Sequence, residues 1–117
     1  MTSSHHQEAI IRELRQAKSA HMSGNVGLAR VCARRAAGIA IGKYLADNEL
    51  PDPSPSAFDR LKYIETLPEI PKNVRNSVNY LTERVNENFE LSSKADLIVE
   101  AQNLINTLLP GLLGKED

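Results

Sequence analysis

The stretch GNVGLARVCARRAAGIAIGKYL, residues 24 to 45, decides the fold. Its period is helical: on a wheel Ala29, Ala33, Ala36, Ala37, Ala40 and Tyr44 share one face, while Leu28, Val31, Cys32 and Ile39 lie roughly opposite. A helix with apolar surface on two sides needs two partners. The alanine side lets a neighbouring backbone come close, and the larger side chains suit a second helix. Asn25 is a good N-cap, and the pattern runs to about Ala46, which predicts a helix about 33 Å long. Within it stand three arginines, Arg30, Arg34 and Arg35. Arg30 and Arg34 are one turn apart and share a stripe with Ile41, whereas Arg35 falls among Leu28, Val31 and Ile39.

Working outward, the periodicity stays helical and no strand pattern appears. Ser4 with Gln7 three residues on reads as a capping box, followed by Ile10, Ile11, Leu14, Ala17 and His21 on one face. This predicts a first helix over about residues 5 to 22, stopped by Gly24. LPDPSPS, with prolines at 51, 53 and 55, cannot continue a helix and reads as a stiff extended loop. Ser56 then opens a short helix carrying Phe58, Leu61, Ile64 and Leu67, which ends before Pro68. Pro71 begins another, with Val74, Val78, Leu81 and Val85 as a narrow apolar stripe. NENFELSS is a connection in which Phe89 and Leu91 act as plugs. Ser93 with Asp96 opens the last helix, Leu97 to Leu109, closed by Pro110 and Gly111.

Four long helices with short joins predict an all-α fold, an antiparallel four-helix up-and-down bundle with one short extra helix in the middle connection. Residues 1–117 form one domain, with residues 1–4 and 111–117 expected as frayed tails. A chain of this size can bury roughly two-thirds of its unfolded surface, so a core without staples is feasible. The single cysteine, Cys32, cannot form an intrachain disulfide and suits a reducing, cytoplasmic setting. The start MTSSHHQEAI lacks the charged and apolar regions of a signal peptide, and no apolar run approaches the ~20 residues of a membrane span. A protein that is neither exported nor bound to a membrane is expected.

Net charge is −1, but its distribution is uneven. Residues 1–46 hold seven basic and two acidic residues, and the remainder holds seven basic and thirteen acidic. The two halves can neutralise one another on packing, or leave a local positive surface. Aromatic residues are few and tryptophan is absent, which argues against a base-stacking platform for nucleic acid. No glycine-rich phosphate loop, paired-cysteine site or nucleophile elbow is present. His5 and His6 could bind a metal only with further ligands, and no metal and no cofactor is expected. Gly38 and Gly42 have the spacing of a close helix contact.

The chain resembles the HEPN group of helical-bundle domains, a name that abbreviates higher eukaryotes and prokaryotes nucleotide-binding. The resemblance covers about residues 7 to 109 and rests on architecture and a loose pattern: Gly24, Ala29, Ala36, and then Lys43, Tyr44 and Leu45 closing the second helix. It implies a binding module sometimes partnered by a nucleotidyltransferase, and some relatives act in toxin–antitoxin pairs; the two apolar sides of the second helix themselves predict a two-fold homodimer involving the first or second helix. Catalytic relatives are metal-independent ribonucleases with an arginine followed after four to six residues by a histidine near the last helix. Arg84 is the nearest match, but Phe89, Glu90 and Leu91 stand where the histidine belongs. Arg15 and His21 have a comparable gap, on the first helix instead. The resemblance therefore implies a non-catalytic binding module with no catalytic residues. Two alternatives stand beside it: a ribonuclease with an atypical site, and a small-anion or nucleotide binder using Arg30, Arg34 and Arg35. If those arginines are structural instead, Glu83, Glu87 and Glu100 are the expected partners.

Overall fold

A computed structural model describes residues 2–83 and 96–114, with side chains from His5 onward. Its helices are α1 (Thr2–Met22), α2 (Val26–Asp47), α3 (Ala57–Ile64), α4 (Lys72–Leu81) and α5 (Leu97–Leu108), with no strand among the described residues. The fold is all-α: a four-helix bundle of α1, α2, α4 and α5, with α3 in the middle connection.

Local chemistry sets most of the boundaries. Gly24 takes φ +84°. There its N–H bonds the carbonyl of His21 and that of Asn25 bonds the carbonyl of Ala20, a Schellman closure of α1. Asn25 then accepts from the Leu28 N–H at 3.1 Å and caps α2. Ser56 does the same for α3 by accepting from Asp59 N–H at 3.2 Å. Pro71 is the N-cap of α4 and not its first helical residue. α3 ends at Ile64, a turn earlier than its apolar spacing predicts, and Phe58 is exposed while Leu61 and Ile64 are buried.

Three helix-end expectations need correction. α1 begins at Thr2, so Ser4 lies inside the helix and is no cap. Gln7, assigned to the capping box, instead donates through Nε2 to the carbonyl of Leu112, 2.6 Å away. At the other end, residues 111–114 are not a loose tail, because Leu112 and Leu113 pack against the core. Asp96 itself caps α5, accepting from the N–H groups of Ile98 and Val99 at 3.0 and 3.3 Å. Val85, Phe89, Leu91 and Ser93 lie outside the described residues, as do 115–117.

α2 is the central element. It packs on α1, α3, α4 and α5, so apolar residues are buried around most of its circumference, from Cys32 on one side to Ile41 and Leu45 on the other. The two-sided apolar pattern is thus largely used within one chain. Gly38 and Gly42 form the seat of α3. A Cβ on Gly38 would meet Ala57, and one on Gly42 would meet the guanidinium of Arg60. Arg60 donates to the Gly38 carbonyl and, through Nε and Nη2, to both carboxylate oxygens of Asp52, at 3.1, 3.1 and 2.6 Å. This pins the proline-rich loop to the middle of α2.

Candidate functional site

The register of α2 brings Arg30 and Arg34 together, half-buried, one turn apart near the C-terminal end of α4. Arg34 donates from Nε to the carbonyl of Leu81 and from Nη2 to the carbonyl of Glu83, the latter at 2.9 Å. Leu81 is the last residue of α4, where the helix dipole places partial negative charge, so the guanidinium satisfies an orphan acceptor there and also holds the carbonyl of Glu83 just beyond the cap. Burial pushes the Arg34 pKa down, and the neighbouring charge of Arg30 adds to that.

Among the described residues the partners of Arg34 are backbone carbonyls and not the expected carboxylates. Glu83 contributes its backbone carbonyl to Arg34, Glu87 lies outside the described residues, and Glu100 accepts from Ser77 Oγ at 2.8 Å. Arg30 differs from its neighbour. Its Nε–H is buried and meets no acceptor among the described residues. Arg35 is exposed on the side of α2 that carries the exposed Val31 and the half-buried Leu28 and Ile39. The three arginines thus divide into a helix cap, a half-buried cation and a surface cation, and only Arg30 and Arg34 are brought together.

Other residues singled out from the sequence stand apart. Arg15 and His21 are both exposed on α1, and Arg84, Phe89, Glu90 and Leu91 lie outside the described residues. Cys32 is fully buried, and burial pushes its thiol pKa up. The Glu13 carboxylate raises it further, against a smaller opposing effect of Arg35. Such a thiol is a packing residue and a poor nucleophile. Among the described residues no three His, Cys, Asp or Glu side chains converge as a metal-binding group.

Sequence reasoning missed two arrangements. One is the reuse of arginine as a clamp on carbonyls: besides Arg34 and Arg60, Arg75 donates to the carbonyls of Glu65 and Leu67 at 3.2 and 2.8 Å and ties the α3–α4 turn. The other is a polar cleft between α4 and α5, whose signal was the recurrence of asparagine at helical spacing in both segments. No family model matches this chain, and no curated protein or solved structure matches it.

Proposed function

We propose that this chain is a non-catalytic helical binding module of the HEPN-like type that works as a homodimer through the end of α1 and the start of α2. The observation that carries this reading is the exposure of Met22 and Val26, at 85% and 60%, on the two sides of the α1–α2 turn. Large apolar side chains left in water beside a rigid, doubly capped turn favour burial against a second surface. A two-fold axis near the turn would place the same pair on both partners. The resemblance to HEPN domains supports the binding module, and a nucleotidyltransferase is the partner class it brings.

Light scattering of the full chain at micromolar concentration tests this. Twice the chain mass is expected, falling to the chain mass on Met22→Ser with Val26→Ser. A monomeric native protein would overturn the dimer. Incubation with structured and unstructured RNA should leave both intact. Cleavage that disappears with His21→Ala would replace the binding module by a ribonuclease working through Arg15 and His21.

A second reading rests on Arg30. Its buried Nε–H, without an acceptor among the described residues and beside the Arg34 guanidinium, is suited to a small anion such as a nucleotide phosphate. It is separated from the first reading by the thermal melts described below.

A further inference from the structure

α4 and α5 lie side by side, and between their outer faces runs an open cleft of about 370 Å³. Its chemistry is unusual for a bundle surface. Four primary amides line it, Asn73 and Asn76 from α4 and Asn103 and Asn106 from α5. Asparagine is a poor helix former because its side chain competes for backbone hydrogen bonds, so four on facing helices work against both elements. Among the described residues that line the cleft there is no lysine or arginine. The one formal charge among those described lining residues is the carboxylate of Glu100, which repels anions and accepts hydrogen bonds.

Two of the polar groups are held in place. Ser77, at 2% exposure, is a polar side chain buried beneath the cleft, and its hydroxyl donates to Glu100 Oε1 at 2.8 Å. This orients the carboxylate and leaves Oε2 for another donor. Asn73 Nδ2 donates to Thr107 Oγ1 at 2.9 Å, and that hydroxyl donates in turn to the backbone carbonyl of Asn103 at 2.9 Å. Tyr80, one turn beyond Asn76, adds an aromatic ring that is 37% exposed.

We infer that the α4–α5 cleft is a binding site for a neutral polyhydroxylated ligand, an oligosaccharide. Sugar hydroxyls both donate and accept. Amides answer both roles, an oriented carboxylate takes two donors, and an exposed tyrosine ring covers the C–H face of a pyranose. Among the described lining residues a phosphorylated ligand finds no cation, and a peptide finds no apolar pocket for its side chains. The site is independent of the α1–α2 contact proposed above and does not need a dimer.

The test is a titration of the isotope-labelled full chain, following the side-chain NH2 signals of asparagine by NMR. The probes are maltotetraose, cellotetraose and N-acetylated chitotetraose, with glucose 6-phosphate and spermidine as anionic and cationic comparators. At least one neutral oligosaccharide should shift the signals of Asn76, Asn103 and Asn106 saturably, with Kd on the order of 1 mM or tighter. Asn76→Ala with Asn103→Ala should weaken that binding about tenfold or more without lowering the melting temperature, since alanine is the better helix former. Tyr80→Ala should also weaken it. The proposal is overturned if no neutral probe moves these signals at about 20 mM, if only a charged comparator moves them, or if they move with protein concentration alone, which would make the cleft a contact between copies. Failure here leaves the measured mass, and so the dimer, untouched.

Discussion

Gly38 of α2 and Ala57 of α3 meet so closely that a Cβ on Gly38 would stand 2.6 Å from the Cβ of Ala57 and 2.8 Å from its Cα. α3 therefore rests on bare helix backbone. Gly38→Ala must displace that backbone, and the expected loss is about 1–3 kcal/mol despite the better helix propensity of alanine. Gly42→Ala meets the far end of the Arg60 side chain, with Nη1 at 2.6 Å, and must shift the guanidinium that bonds Gly38 and Asp52. There the lost Arg60 hydrogen bonds and the gain in helix propensity, each about 1 kcal/mol, roughly cancel. Urea unfolding of the two variants checks this, and equal stabilities would show that α3 does not depend on the bare surface of Gly38.

Arg34→Ala removes the donors to the Leu81 and Glu83 carbonyls and should destabilise the protein by about 1–3 kcal/mol with no ligand present. Arg34→Lys should recover only part of this, because an ammonium lacks the planar fork that reaches two carbonyls. Added nucleotide should leave the melting temperature of the native protein unchanged. A rise that shrinks in salt and vanishes with Arg30→Ala would instead establish the anion-binding reading.

Asp52 supplies a pH-dependent contribution. The hydrogen bonds from Arg60 lower its pKa and outweigh the opposing effect of desolvation, with help from the Arg60 charge and the Ser54 N–H. A carboxyl lowered in the folded state stabilises above its unfolded value, about 3.9, and the contribution disappears as pH falls through the lower folded value. Asp52→Asn should therefore cost up to about 1 kcal/mol at neutral pH, since this side chain is 39% exposed and solvent screens the pair. The gap between native and variant protein should close as pH is lowered below about 4. A gap that stays constant down to about pH 2 would show that the carboxylate charge contributes nothing.

Cys32, buried and with its pKa raised, should react slowly with thiol reagents in the native protein and quickly in urea. Labelling kinetics at mildly alkaline pH provide the check. Equal rates in both states would mean that the α1–α2 contact opens readily.

Much of the helix pattern was legible in the sequence because its signals are local. Gly24 with Asn25, Ser56 and the Pro71 junction each act through atoms within a few residues, and the structure places a helix boundary at each of them. The same locality explains the errors. Ser4 and Gln7 satisfy a capping pattern, yet Gln7 is spent on the Leu112 carbonyl from the far end of the chain. Ser93 and Asp96 also have capping spacing, but Asp96 reaches the free N–H groups of α5 itself.

By itself the sequence determined an all-helical chain, the long apolar α2 and the small residues at 38 and 42, since periodicity, caps and residue size are properties of neighbours along the chain. Only the tertiary structure decided what those features meet. α2 became the centre of the bundle because four helices compete for its circumference, and the partner of Arg34 became a pair of carbonyls because α4 ends against it. The α4–α5 cleft arose in the same way, by setting two asparagine-bearing helices side by side. Hydrogen-bond acceptors and packing surfaces that come from distant segments carry no local signature, so they exist only once the chain has folded.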